Sequence, residues 1–105
     1  DGHGAGDEDV PDNAVLDGLF ATIESRKREL PEASYTASLF THEKGDNAAL
    51  GKVGEESTEA ILAAKDDDRE ELVAESADLV YHLLVVLAME DASLDDLRAE
   101  LRKRF

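Results

Sequence analysis

Acidic residues at helical spacing are the part of this sequence with the clearest chemistry. Glu56 and Glu59 lie three residues apart, and so do Glu75 and Asp78. Residues three apart share one face of a helix, so the spacing predicts a carboxylate pair on each of two helices. Both pairs lie beside or within apolar stripes, where an unpaired ionised carboxylate is costly. Mg²⁺ prefers oxygen ligands and often bridges to substrate phosphates, so we expect one or more Mg²⁺ ions here.

The alternative interpretation is that these acids form a solvated face, since acidic residues are abundant in the chain. Gly51 and Gly54 favour a site, because each glycine inside a helix costs about 1 kcal/mol relative to Ala. They predict a close approach of backbone or ligand beside Lys52, which lies one turn before Glu56 and could pair with it. A di-iron site is discounted because it requires Glu-x-x-His motifs, which the chain lacks.

Length and composition limit the size and the partners of the protein. The 105 residues suffice for one domain, and the formal charge of -15 disfavours nucleic acid and anionic membranes as partners. The absence of cysteine excludes disulfides, thiolate metal sites and cysteine nucleophiles. The longest apolar run, 83–89, is shorter than the roughly 20 residues of a membrane span, and no signal sequence opens the chain. We therefore expect a soluble, cytoplasmic protein with no membrane partner.

The acidic excess also bears on the source of the protein. Clustered Asp and Glu with few Lys resemble the composition of proteins from salt-accumulating halophiles, in which molar salt screens the self-repulsion. An ordinary acidic protein is the alternative.

Apolar residues recur at helical spacing from Asn13 onward, and no segment alternates like a strand. The sequence thus predicts an all-α bundle of four or five helices over 13–105, preceded by a mobile acidic tail over 1–12. The first predicted helix is capped by Asp12 or Asn13 and ends before Pro31, and a short second helix lies within 34–41. The third begins at its cap Asp46 and runs to about Lys65, and the fourth runs from Arg69 to about Glu90, with Asp67 or Asp68 as its cap. The fifth begins at Ser93, which forms a capping box with Asp96.

The fourth predicted helix is apolar on all sides over 79–87. Such a helix is expected at the centre of the fold, buried by several neighbours. Its apolar surface exceeds what four short neighbours can cover, so we expect a homodimer with this helix near the interface.

Two segments together resemble a known family. The run 51–65, GKVGEESTEAILAAK, and the run 75–84, ESADLVYHLL, are similar to phosphoribosyl-ATP pyrophosphatases of histidine biosynthesis. The pattern Glu-Glu-x-x-Glu followed by Glu-x-x-Asp is shared with the wider MazG-like all-α nucleoside triphosphate pyrophosphatases. The segment from Ser34 to Thr36 and the run Asp-Leu-Val-Tyr-His-Leu favour the histidine-pathway family. The resemblance extends over roughly 16–105.

The resemblance implies Mg²⁺-dependent hydrolysis of the α–β phosphoanhydride of 1-(5-phosphoribosyl)-ATP. It further implies Mg²⁺ ligands at Glu56, Glu59, Glu75 and Asp78, phosphate contacts from Lys52 and Lys65, and a substrate pocket that includes Tyr35 and Ser38. Gly51 stands where the family often has a second basic residue, and Lys44 or an Arg of a second subunit are the candidates to supply that charge.

A metal-activated water makes a protein nucleophile unnecessary, because the ion neutralises the phosphates and lowers the pKa of bound water. Glu55 and Glu56 are both candidates for polarising that water. Tyr81 and His82 are interpreted as packed residues with satisfied polar tips rather than as catalytic groups. Two other functions remain open at this point: a pyrophosphatase that removes unwanted nucleoside triphosphates, and a non-catalytic helical dimer that binds cations.

Overall fold

The computed structural model describes residues 11–105, and these contain five α-helices and no β-strand. The helices are α1 (Val15–Glu29), α2 (Tyr35–Phe40), α3 (Asn47–Lys65), α4 (Arg69–Met89) and α5 (Leu94–Arg104), with a short 3₁₀ turn at Asp12–Ala14 before α1. The all-α prediction is confirmed. The predicted tail, 1–12, lies outside the described residues apart from its last two.

Side-chain caps begin α4 and α5 as predicted. The Asp68 carboxylate accepts a hydrogen bond from the backbone N–H of Glu71 at 3.1 Å, which satisfies a donor in the first turn of α4. Ser93 and Asp96 form the reciprocal capping box of α5, with bonds of 3.0 and 2.8 Å. These bonds join residues three apart, so the local sequence is sufficient to specify them.

Two other predicted caps are wrong. Neither Asp12 nor Asn13 caps α1, because both lie in the 3₁₀ turn and Ala14 occupies the cap position. Asp46 does precede α3, but its side chain makes no capping bond. Its backbone has the helical angles φ -73° and ψ -9°, whereas a capping side chain normally requires an extended backbone.

The α3–α4 hairpin is the framework of the fold. The two helices are joined by the short turn 66–68, so they run antiparallel and pack along their length. α1 packs on α4 and on α2. The buried core that joins these elements consists of Ile23, Leu39, Ala49, Leu84, Val85, Ala88 and Leu94. The core therefore fixes the position of α3 relative to α4, and these two helices carry the predicted acidic pairs.

α4 keeps an exposed apolar side, in agreement with the prediction that its apolar surface exceeds what its neighbours can cover. Val73, Val80 and Leu83 are 61%, 39% and 43% exposed, and on α3 Ile61 and Leu62 are 61% and 56% exposed. α1 and α3 occupy only part of the circumference of α4 and leave this apolar surface open. The surplus apolar surface from which a homodimer was inferred is therefore present in the single chain.

α4 is also long enough, and over 18 residues apolar enough, to cross a membrane, judged by length and composition alone, although its continuous apolar run is short. A core helix of a soluble protein meets the same criteria. The carboxylates of Glu75 and Asp78 lie in the middle of α4, where a bilayer would disfavour them strongly. Leu84 and Val85, further along the same helix, form part of the protein core.

Candidate active site

Three carboxylates meet on the α3–α4 hairpin. Carboxylate oxygens of Glu59 in α3 and of Glu71 and Glu75 in α4 all lie within 4.8 Å of one another. Opposite oxygens around an octahedral Mg²⁺ ion are about 4.2 Å apart, since each lies about 2.1 Å from the metal. Small side-chain adjustments would thus bring the three groups into one coordination sphere. A set of oxygen donors at this spacing fits a hard divalent cation.

The electrostatics of this cluster centre on Glu75. The hydrogen bond with Glu71, partial burial and the neighbouring Glu59 carboxylate raise the pKa of Glu75 from 4.5 to about 7. A hydrogen bond between two carboxyl groups requires a proton on one of them. Without a cation, a shared proton therefore relieves the repulsion among the three acids, and a cation that binds must displace it.

The structure brings two of the four predicted metal ligands, Glu59 and Glu75, into this cluster. Glu56 lies one turn before Glu59, and Asp78 lies one turn after Glu75. Because α3 and α4 are antiparallel, both residues extend the row of acids away from the 66–68 turn. We call the whole row, Glu56, Glu59, Glu71, Glu75 and Asp78, the acidic strip.

Glu71 is the member of the cluster that the sequence prediction missed. It belongs to a dense run of acids at the start of α4, which is typical of a solvated helix end. The distinguishing signal was its spacing. Glu71 and Glu75 are four residues apart and therefore lie on one face of α4, together with Asp78.

Glu56 is held inside the hairpin by a histidine of α4. Its Oε1 atom lies 2.8 Å from Nδ1 of His82, and the two residues are only 9% and 5% exposed. The sequence predicts Lys52 as a partner of Glu56. Lys52 instead contacts Glu55 at 3.7 Å, because both of these side chains lie on the solvent side of α3. The interpretation of His82 as a packed, satisfied residue agrees with the structure.

α2 contributes an aromatic group to the same place. The Ser34 hydroxyl accepts a hydrogen bond from Ala37 N–H at 3.1 Å and so caps α2 directly before Tyr35. The Tyr35 hydroxyl lies 3.1 Å from Nε2 of His82, and the ring is 46% exposed. Ser38, the other predicted pocket residue, is exposed and donates to the Tyr35 carbonyl at 2.5 Å.

Tyr81 supports this arrangement from α4. Its hydroxyl is 2.5 Å from the Thr36 hydroxyl, and its ring stacks on Tyr35 with centroids 6.4 Å apart. Burial raises the pKa of Tyr81, so the hydroxyl stays protonated. Its edge-on contact with the His82 ring, at 4.7 Å between centroids, restricts the imidazole further.

The two predicted phosphate contacts, Lys52 and Lys65, lie at different ends of the site. They are separated by thirteen residues of α3, which corresponds to about 20 Å along a helix. Gly51 and Gly54 do not show the predicted close approach within the described chain, since a Cβ atom on either would have no neighbour within 4 Å. The space beside Lys52 is open.

Comparison with known proteins agrees with the resemblance. The family described as Phosphoribosyl-ATP pyrophosphohydrolase matches residues 16–105. A phosphoribosyl-ATP pyrophosphatase of Haloarcula marismortui is 72% identical over 90 residues, which cover 86% of this chain and 92% of the relative. The same-named proteins of Natronomonas pharaonis and Haloquadratum walsbyi are 69% and 64% identical, with 99% and 93% of this chain and 96% and 97% of the relatives covered. All three organisms are halophilic archaea, as the acidic composition suggests. This chain belongs to the phosphoribosyl-ATP pyrophosphohydrolase family and is, like its relatives, a hydrolase of a phosphoanhydride.

Proposed function

We propose that this chain uses Mg²⁺ to hydrolyse 1-(5-phosphoribosyl)-ATP to 1-(5-phosphoribosyl)-AMP and pyrophosphate, the second step of histidine biosynthesis. The observation that carries the proposal is the carboxylate cluster of Glu59, Glu71 and Glu75, which lies within the matched region. Acids grouped in this way repel a triphosphate unless a cation lies between them. The choice of phosphoribosyl-ATP as the substrate rests on the names of the relatives.

The cluster is proposed to hold the metal, with Glu56 and Asp78 completing the ligand set farther along the acidic strip. The bound ion would neutralise phosphate oxygens and lower the pKa of a coordinated water. Glu75 has a second task, because its pKa of about 7 means that it gives up a proton when the metal binds near neutral pH. This exchange makes the site sensitive to pH in the physiological range.

We assign the orientation of the attacking water to Glu55 rather than to Glu56. One oxygen of Glu56 is occupied by His82, and the residue is buried. The Glu55 side chain is 67% exposed, and its ion pair within residues 11–105 is the long contact with Lys52 at 3.7 Å. It can therefore turn toward a water at the solvent side of α3 and accept its proton.

The lysines and the α2 residues are proposed to bind the substrate. Lys52 lies one turn before Glu56 and is placed to neutralise the triphosphate, whereas Lys65 is too far along α3 to reach the same phosphates. We assign Lys65 to another phosphate of an extended substrate. The half-exposed Tyr35 ring suits packing against a base or ribose, with Ser38 beside it.

We also propose that the enzyme is a cytoplasmic homodimer. Several large apolar residues of α3 and α4 are more than a third exposed, and exposed apolar surface is typical of a protein–protein contact; they are Leu50, Ile61, Leu62, Val73, Val80 and Leu83. Sedimentation equilibrium in molar KCl is the test, with Val80→Glu expected to shift the dimer toward monomer. Val15→Glu places the same charge on an exposed site of α1 and serves as the matched control. A wild-type protein that sediments as a monomer contradicts the dimer.

The direct test of function is pyrophosphate release from phosphoribosyl-ATP, beside a panel of deoxynucleoside triphosphates, with Mg²⁺ or with EDTA. We expect release from phosphoribosyl-ATP alone, dependent on the metal and highest in molar KCl. Glu75→Gln should abolish it. Glu100→Gln removes the same charge from α5, outside the acidic strip, and should retain activity.

The other outcomes identify the competing functions. Release from deoxynucleoside triphosphates and none from phosphoribosyl-ATP would move the function to the removal of unwanted nucleotides. A folded protein that is inactive on every substrate would support the non-catalytic cation-binding dimer.

A further inference from the structure

His82 connects two parts of the candidate site that lie on different helices. On one side, its Nδ1 atom lies 2.8 Å from Oε1 of Glu56 in α3. On the other side, its Nε2 atom lies 3.1 Å from the Tyr35 hydroxyl in α2. A continuous hydrogen-bonded path thus runs from the acidic strip to the half-exposed aromatic ring.

The partners of His82 determine which nitrogen carries the proton. Nδ1 faces two acceptors, the Glu56 carboxylate and the Asp78 carbonyl oxygen at 3.1 Å, so Nδ1 must donate. In a neutral imidazole Nε2 is then an acceptor, and the Tyr35 hydroxyl donates to it. These hydrogen bonds fix the orientation of the imidazole ring. The ring in turn holds the Glu56 carboxylate and the Tyr35 hydroxyl in place.

The bonding leaves Glu56 with one fixed oxygen and one free oxygen. Among the residues described, the polar contact of its carboxylate is the bond from His82 to Oε1. Oε2 is available to another ligand, while rotation of the carboxylate is restricted. A ligating carboxylate held in this way binds a metal more tightly than a mobile one, because less freedom is lost on binding.

We propose that His82 is a positioning residue with two separate roles: its Nδ1–H holds the Glu56 carboxylate for the divalent cation, and its Nε2 holds the Tyr35 hydroxyl for the substrate. The inference rests on the proposed function, since it gives Glu56 and Tyr35 their tasks at that site. His82 itself does not contact metal or substrate.

Two substitutions separate the roles. The side-chain nitrogen of Asn can occupy the position of Nδ1, and that of Gln can occupy the position of Nε2. His82→Asn should therefore keep the bond to Glu56 and lose Tyr35, whereas His82→Gln should keep Tyr35 and lose Glu56. Both variants remove the imidazole ring and therefore lose its packing contacts. Ile23→Val removes one methylene group from the fully buried core, without touching the acidic strip or His82 itself, and controls for reduced stability.

The readouts are Mn²⁺ binding without substrate, followed by electron paramagnetic resonance of the free ion, and KM at saturating metal. For His82→Gln we expect the Mn²⁺ dissociation constant to rise about 10- to 100-fold, the usual effect of removing a hydrogen bond to a metal ligand. For His82→Asn we expect Mn²⁺ affinity close to that of the wild type and a KM for phosphoribosyl-ATP raised about 3- to 10-fold. Ile23→Val should change neither quantity.

If His82→Asn and His82→Gln lost the same Mn²⁺ affinity and showed the same rise in KM, His82 would act through packing alone. That result would overturn the inference. Wild-type Mn²⁺ affinity in His82→Gln would also overturn it. A wild-type protein that binds no Mn²⁺ would refute the proposed metal site, and the inference with it. That outcome differs from the first two because it is visible before any variant is made.

Discussion

The affinity of this protein for a divalent cation should depend on pH far more steeply than that of an ordinary carboxylate site. The reason is Glu75, whose pKa is raised to about 7, first by its hydrogen bond with Glu71 and then by burial and by Glu59. Near neutral pH the metal competes with the proton that Glu75 and Glu71 share in their hydrogen bond. The perturbation to apply is therefore a change from pH 8 to pH 6.

The magnitude follows from the pKa. For a site that binds metal only when Glu75 is ionised, the apparent dissociation constant is multiplied by the reciprocal of the ionised fraction. A pKa of about 7 makes that constant rise about 10-fold between pH 8 and pH 6. A carboxyl group with the ordinary pKa of 4.5 would change it by only about 3% over the same range.

The assay is Mn²⁺ binding at pH 8, 7 and 6 in molar KCl. Glu71→Gln supplies the matched control, because an amide in place of Glu71 removes the largest cause of the raised pKa and can donate to ionised Glu75. This variant should bind metal more weakly at pH 8 and lose most of the pH dependence. A wild-type affinity that is constant from pH 8 to pH 6 would refute the reasoning.

Three further predictions concern the acidic strip and the helix ends. Glu56→Gln and Asp78→Asn should each abolish Mg²⁺-dependent turnover while the circular dichroism stays helical, and wild-type turnover in both would remove them from the ligand set. Without metal, in EDTA, the free energy of unfolding measured by urea denaturation should fall as pH rises from about 4.5 to about 7. The reason is that the folded state retains the Glu75 proton that the unfolded chain releases in this range. Glu75→Gln should lose this pH dependence. Ser93→Ala should lower the free energy of unfolding by about 1 kcal/mol by removing the α5 cap, and an unchanged denaturation midpoint would contradict that role.

The sequence determined the helices and the family. α2, α3, α4 and α5 lie close to the predicted positions, and Asp68 and Ser93 cap the helices as expected. These features depend on residues three or four apart, whose geometry a helix fixes without reference to the rest of the chain. For the same reason the sequence placed Glu59 and Glu75 on helix faces suited to a metal.

Only the tertiary structure decided which side chains meet across helices. The register of α3 against α4 brings Glu71 into the carboxylate cluster and gives Glu56 a histidine partner instead of Lys52. The docking of α2 brings Tyr35 to the same histidine. These contacts join residues 12 to 47 positions apart in the chain, and they depend on how the apolar faces pack rather than on local spacing. Packing also decided which side of α4 stays exposed, since only the assembled fold shows which part of a helix its neighbours cover.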